Sequence, residues 1–276
     1  MSKKSEIAQE INKQEKLVCY YIGAIQYAWK KGKPWREDME KLLRPLGING
    51  FNPITVEEQL TGDSPDDIEI KRDKWKRFGK WKTFHKQMWL VRMADIAKGV
   101  LGSDFVILYW QIGVEKGGTL DELYCAAKCG IPIFVVINQP ISTMNDWVLD
   151  VLLQMEKEPY PSYVKEIMGG GLTKFAHTFR SFKAVANYIA KHKEELLAKK
   201  RVLRERGILE YRLKLAPLFL FPAAFFDYMW STKDEYLRWL ELRPEYKVKE
   251  PKKLREIFEG KKISKRGQKQ KNPRKA

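Results

Sequence analysis

An α/β fold built on a parallel sheet is predicted by two observations. Short runs that are apolar almost throughout, Leu17–Ile22 (LVCYYI), Asp104–Tyr109 (DFVILY) and Ile133–Ile137 (IFVVI), lack the in–out alternation of a half-exposed strand and read as strands covered on both faces. Between them lie longer stretches with apolar residues at helical spacing, and such alternation calls for parallel strands joined by right-handed crossovers. With 276 residues and 44% hydrophobic content, the chain has length for one to two domains and a sizeable core.

Residues 1–16 read as a polar leader and 17–200 as the α/β domain. After the first strand, Pro34 and Trp35 open a helix with Met39, Leu42, Leu43 and Leu46 on one face and Gly47 as its stop. Gly50–Pro53 is a short second strand. Residues 54–80 are rich in Asp, Lys and Arg and hold no consistent period, so they read as a long connection, either a lid or binding loop or a solvated insertion. Trp81–Val100 returns to helical spacing through Phe84, Met88, Val91, Ile96 and Val100. The strand Asp104–Tyr109 leads through a glycine loop, Val114–Gly118, into a helix over Thr119–Lys128 with Thr119 as N-cap, ended by Gly130-Ile131-Pro132. Beyond Ile133–Ile137, Met144–Met155 reads as helix, Gly169–Gly171 as a break, Lys174–Ala176 as a last strand and Phe182–Lys200 as helix. Residues 201–260 form a helical, basic extension containing Val202–Leu215 and Thr232–Leu242, and 261–276 a basic disordered tail.

Lys and Arg number 52 against 35 Asp and Glu, a net charge of +17, and residues 201–276 alone carry 21 Lys and Arg against 10 Asp and Glu. Anionic partners are expected, and the tail suits nonspecific nucleic-acid contact. Cys19, Cys125 and Cys129 are too few for a disulfide framework; with His85, His177 and His192 scattered, no ligand spacing arises, and neither metal nor cofactor is expected. Met1–Lys16 lacks the apolar run of a signal peptide. The run Leu215–Phe226 is interrupted by Pro217 and Pro222 and is too short for a bilayer crossing of about 20 residues, so it packs on the main domain, on a second subunit or at an interface. A cytoplasmic protein without a membrane span is the expectation. No P-loop, GxGxxG, HExxH or GxSxG pattern occurs.

Parallel α/β sheets gather their reactive groups beyond the carboxyl ends of the strands. There Tyr21 stands near Gly23, a phenol beside a glycine that lets a ligand approach the backbone. Glu122 follows Gly118-Thr119 and is expected in the first turn of its helix, where free amides and the dipole stabilise an anion. Asp95 lies at the centre of an apolar and basic helical stretch, LVRMADIAKGVLGSD. Each has an ordinary alternative: Tyr21 as core, Glu122 as a helix-start acid, Asp95 as an ion-pair partner of Arg92 or Lys98.

In order and spacing these residues resemble the nucleoside 2-deoxyribosyltransferase family, including phage-type members and the related deoxynucleoside 5′-monophosphate N-glycosidases. The likeness covers about residues 17–140. It rests on Tyr21-Ile22-Gly23-Ala24, Trp35-Arg36, Phe51-Asn52-Pro53, Asp95 with Ser103-Asp104, Gly118-Thr119 with Glu122-Leu123 and Ala126, and Gly130-Ile131-Pro132. It implies a Rossmann-like (flavodoxin-like) sheet with flanking helices. It also implies that Glu122 attacks the anomeric carbon of 2-deoxyribose, that Asp95 binds substrate and that Tyr21 helps hold the nucleophile. Gly23, Arg36, Asn52, Trp110, Gly118 and Thr119 are implied around the substrate, with Trp110 either stacked on the base or packed at the strand end and Arg36 either on a 5′-phosphate or in an ion pair. A homo-oligomer is implied as well, because family members complete each site from a neighbouring subunit; Ser142, Met144 and Asn145 lie in the corresponding region. Two departures stand out. Trp110, Gln111 and Glu115 occupy the stretch where many transferases place a base-contacting aspartate, and residues 200–276 have no counterpart in the minimal family domain.

Breaking an N-glycosidic bond builds oxocarbenium character, which an ionised carboxylate stabilises and traps as an ester while a second acid or a water protonates the leaving base. Three functions are thereby in view. The first is transfer of 2-deoxyribose between bases in nucleotide salvage or remodelling, in the host cytoplasm if the chain is phage-encoded. The second is hydrolysis of deoxynucleoside 5′-monophosphates, and the third is nucleic-acid binding without catalysis. Partners are then deoxynucleosides or deoxynucleotides with free bases, or nucleic acid.

Overall fold

Strand β1 (Val18–Gly23) sends Tyr20 and Ile22 to one face of the sheet and Cys19 and Tyr21 to the other, and helices cover both faces. The computed structural model describes residues 16–25, 28–111, 113–114, 117–137, 139–157, 176–220 and 241. Within them β1 joins β2 (Asn49–Phe51), β3 (Phe105–Tyr109), β4 (Ile133–Val136) and β5 (Ala176–Phe179) in a five-stranded parallel sheet of order β2-β1-β3-β4-β5. This is the flavodoxin-like order, and its switch point falls between β1 and β3, where a crevice opens beyond the carboxyl ends.

The helices, in chain order, are α1 (Lys33–Leu43), α2 (Pro53–Thr61), α3 (Pro65–Arg77), α4 (Trp81–Arg92) running into a π-helix (Met93–Val100), α5 (Gly117–Lys128), α6 (Asp146–Lys157), α7 (Phe182–Lys191), α8 (Lys193–Glu205), α9 (Ile208–Lys214) and α10 (Ala216–Leu220). Trp35, Met39 and Leu43 of α1 recur every four residues and meet Val185 and Ile189 of α7 over Tyr21, Ile107 and Phe134. On the opposite face, Ile96 and Val100 of the π-helix, Leu123 of α5 and Val148 of α6 bury Tyr20, Leu108 and Val135. Each such aliphatic side chain contributes about 1.5–3 kcal/mol by leaving water.

At the amino ends of the strands the first and last parts of the domain are tied together. Asp104 Oδ2 accepts from the Val18 amide at 2.7 Å and from Lys200 Nζ at 2.7 Å, and Lys200 also donates to the Lys16 carbonyl at 2.8 Å. The boundary expected at residue 200 therefore falls inside α8, which continues to Glu205 after a break at His192.

Residues 54–80, expected as a connection, are two helices. Asn52 Oδ1 caps α2 through the Ile54 amide, Gly62 at φ +78° ends it, and Ser64 Oγ caps α3 through the Asp67 amide. No period was legible because Ile68 is the one buried residue of α3, so there is no apolar stripe. The second strand ends at Phe51 because Pro53 opens α2, and the last strand runs over Ala176–Phe179 instead of ending at Ala176. Helix α5 starts at Gly117, which puts Thr119 inside it and removes its expected capping role. Ala216 and Leu220 pack into the core, so the start of the Leu215–Phe226 run covers the main domain. The Gly169–Gly171 break, Thr232–Leu242 apart from Glu241, the polar leader up to residue 15 and the basic tail lie outside the described residues. Among the described residues no helix is long and apolar enough to cross a membrane.

Candidate active site

Two acids from different helices meet over β1 beside Tyr20. Tyr20, fully buried, donates its hydroxyl to Glu122 Oε1 at 2.6 Å. The Asp95 carboxyl, which comes from the π-helix, stands near the same hydroxyl. The ring reaches this place because Gly99 leaves room: a Cβ there would stand 2.5 Å from Tyr20 Cδ2. A π-helix is a wider coil than an α-helix, rare outside functional sites, and here it carries both the acid and the glycine.

The phenol that holds Glu122 is thus Tyr20, and the role expected of Tyr21 is corrected by one residue. Tyr21 points into the other layer, beside Cys19 and over Gly50, where a Cβ would overlap its hydroxyl, and its ring lies 6.0 Å from that of Trp35. Side chains alternate along a strand, so neighbours cannot share a face.

Burial sets the charge state of the group. Glu122 keeps 8% of its surface, and loss of water pushes its carboxyl from 4.5 up to about 7, against the pull of the Tyr20 hydroxyl and of Arg36. It is the sixth residue of α5, past the first turn, so the anion stabilisation expected from the helix start gives way to burial. Asp95 is pushed well above the carboxylate range, first by burial and then by the negative charges of Glu122 and Glu57. The Tyr20 hydroxyl is held well above its ordinary value by burial and both acids, so it remains a donor.

Arg36 is fully buried and is committed to backbone: Nη1 donates to the Gly32 carbonyl at 3.0 Å and Nη2 to the Gly23 carbonyl at 2.8 Å, while its guanidinium carbon lies 4.4 Å from the Trp35 ring centroid. Burial lowers it to about 10, which leaves it charged at neutral pH, and its field favours ionised Glu122 and Asp95. Each terminal nitrogen gives one of its two N–H groups to a carbonyl, and Nε has no partner among the described residues. Gly23 serves packing, since a Cβ would stand 2.8 Å from Trp35 Cζ2. Asn52 is buried as the cap of α2. Trp110 is 4% exposed within the core, with its amide bonded to the Val136 carbonyl, which is strand-end packing. Gly118 is exposed at the start of α5 and Thr119 is buried one residue on. Met144 is core and Asn145 Oδ1 accepts from the Trp147 amide at 3.1 Å.

A cleft of about 210 Å³ opens between Ile25, just past β1, and the inner faces of α2, α3 and α4. Ile25, Phe84, Met88 and Val91 make its apolar wall, and Glu57, paired with Arg72, forms the wall on the Asp95 side. Just past β3, Gln111 Oε1 is buried and has no hydrogen-bond partner among the described residues. Among those residues no three His, Cys, Asp or Glu side chains gather as a metal-binding group.

Tyr20, Gly99 and Glu57 were missed from the sequence. A glycine inside a helical pattern was the available signal for Gly99. Glu57 lay in a segment read as a connection. No protein-family model, curated protein or solved structure matches the chain.

Proposed function

We propose that the chain cleaves the N-glycosidic bond of 2-deoxyribonucleosides through a deoxyribosyl ester on Glu122 and passes the sugar to a second base, as nucleoside 2-deoxyribosyltransferases do. The observation that carries this reading is the 2.6 Å hydrogen bond from Tyr20 to Glu122, made next to a second, half-buried acid, Asp95. Two neighbouring acids that both hold protons more tightly than free carboxyls suit a nucleophile and a proton donor.

Glu122, ionised above about pH 7, attacks C1′ with the oxygen that Tyr20 leaves free. The C1′–N bond breaks, its electron pair stays on the base nitrogen, and the proton of Asp95 goes to the leaving base. An acceptor base then attacks C1′ through its nitrogen, the ester C–O bond breaks back to the Glu122 carboxylate, and the acceptor's proton returns to Asp95. Water entering instead of a base gives hydrolysis by the same route. Gln111 Oε1 is an acceptor available to an amino group of the base. Specificity for a 5′-phosphate draws no support from Arg36, whose terminal nitrogens are engaged by carbonyls.

The test is incubation of purified protein with deoxyadenosine or thymidine, with and without a second free base, beside Glu122→Gln, with products followed by chromatography. A new deoxynucleoside that vanishes in the variant is the expected result. Free base and deoxyribose alone would make the chain a hydrolase. Absence of any Glu122-dependent product would overturn both.

A further inference from the structure

The hairpin made by α3 and α4 carries a surface that the chemistry above leaves unused. Residues 71–92 contain nine Lys and Arg against one acid, Asp73, together with five aromatic rings, Trp75, Phe78, Trp81, Phe84 and Trp89. The hairpin turns at Gly79, φ +62°. Ile68 alone is buried in α3 and no residue is buried in α4, so the pair stands off the sheet. At the turn Phe78 is 73% exposed and Trp81 60%. Lys74, Lys80, Lys82 and Lys86 form no ion pair among the described residues. The inner side of the same hairpin, through Phe84, Met88 and Arg72, walls a cleft that is also lined by Glu57, whose negative charge acts on Asp95.

We propose that this hairpin docks single-stranded DNA and feeds one of its nucleotides to the carboxylates; the proposal rests on the deoxyribosyl reading of Glu122. Uncompensated lysines along both helices follow a chain of phosphates, and exposed rings between them stack on unpaired bases, the combination that binds single strands without sequence preference. A base within a duplex cannot reach acids as enclosed as Glu122, whereas an unpaired base enters with little unstacking cost. A second copy of the chain is a poor occupant, because two such basic faces repel. A lipid surface would account for Phe78 and Trp81 but not for the cleft behind them.

The experiment is fluorescence anisotropy of the full chain with labelled oligodeoxythymidylate of about 15 nucleotides. Phe78→Ala/Trp81→Ala is expected to weaken binding about tenfold or more, and Lys80→Glu/Lys82→Glu at least as much. With roughly four phosphate contacts, raising salt from about 50 to about 200 mM should weaken wild-type binding about 50-fold. Both variants should keep wild-type turnover of free deoxynucleosides, and Glu122→Gln should bind the oligonucleotide as wild type does while releasing no base from it. Equal binding by wild type and both hairpin variants overturns the proposal, as does hairpin-dependent binding to phosphatidylserine vesicles without binding to the oligonucleotide. Hairpin-dependent binding with no base released from oligonucleotide, while free deoxynucleosides are turned over, overturns delivery to the site. If free deoxynucleosides also stay intact, the reading of Glu122 is what fails.

Discussion

Two places on one sheet hold acids in opposite ways. At the amino ends, Asp104 accepts from a lysine ammonium and a backbone amide, and its partner Lys200 is satisfied in turn by the Lys16 carbonyl. Over β1, Glu122 takes the Tyr20 hydroxyl with Asp95 close by; Arg36 gives hydrogen bonds from both terminal nitrogens to carbonyls and acts on the two acids through its field. A paired acid with its hydrogen bonds satisfied holds a fold together, whereas two acids sharing one site raise each other's proton affinity and store reactivity.

The largest way to break this contrast is Glu122→Gln. Product formation should fall by about 10³-fold or more, the scale of removing a nucleophile, while the melting temperature rises because one of two mutually repelling acids is gone. Chromatography and thermal melts read the two effects. Asp104→Ala should do the reverse: unfolding free energy drops by about 3–5 kcal/mol in denaturant titrations, since Lys200 is left charged and enclosed, while turnover per folded molecule is retained.

A finer cut separates the neighbouring tyrosines. Tyr20→Phe removes a hydrogen bond to a charged carboxylate and should lower kcat about 10- to 100-fold, shifting the acid limb of the pH profile upward because Glu122 loses a partner that favours its ionised form. Tyr21→Phe should change neither. The smallest effect is on pH. In wild type the acid limb should lie near pH 7, and stability should fall as pH rises from about 4.5 to 7, because across that window the folded chain holds a proton on Glu122 that the unfolded chain has released. Calorimetry at several pH values checks the slope, which should flatten in Glu122→Gln.

Much of the fold was legible because fully apolar strands and glycine-bounded helices leave local signatures. The same burial made the site harder to read. β1 is apolar on both faces, so its pattern carries no mark of which face holds the acids, and the phenol was assigned one residue late. In α3 the opposite problem arose: a helix whose one buried residue is Ile68 leaves no stripe, which is one reason residues 54–80 read as a connection, whereas α4 kept its helical spacing through Phe84, Met88 and Val91. Trp110 was legible as either base stacking or strand-end packing and Arg36 as a residue of note, but neither burial nor a carbonyl partner is written in spacing.

By itself the sequence determined that strands and helices alternate, that the chain is strongly basic, and that Asp95 and Glu122 stand in helical segments flanking the strand Phe105–Tyr109. Those are local properties, set by side-chain period, propensity and charge. Only the tertiary structure brought Glu122 to within 2.6 Å of Tyr20, 102 residues earlier, and set Asp95 beside them. The proton affinity of each acid then follows from water excluded and charges gathered by distant segments, quantities that no stretch of sequence contains.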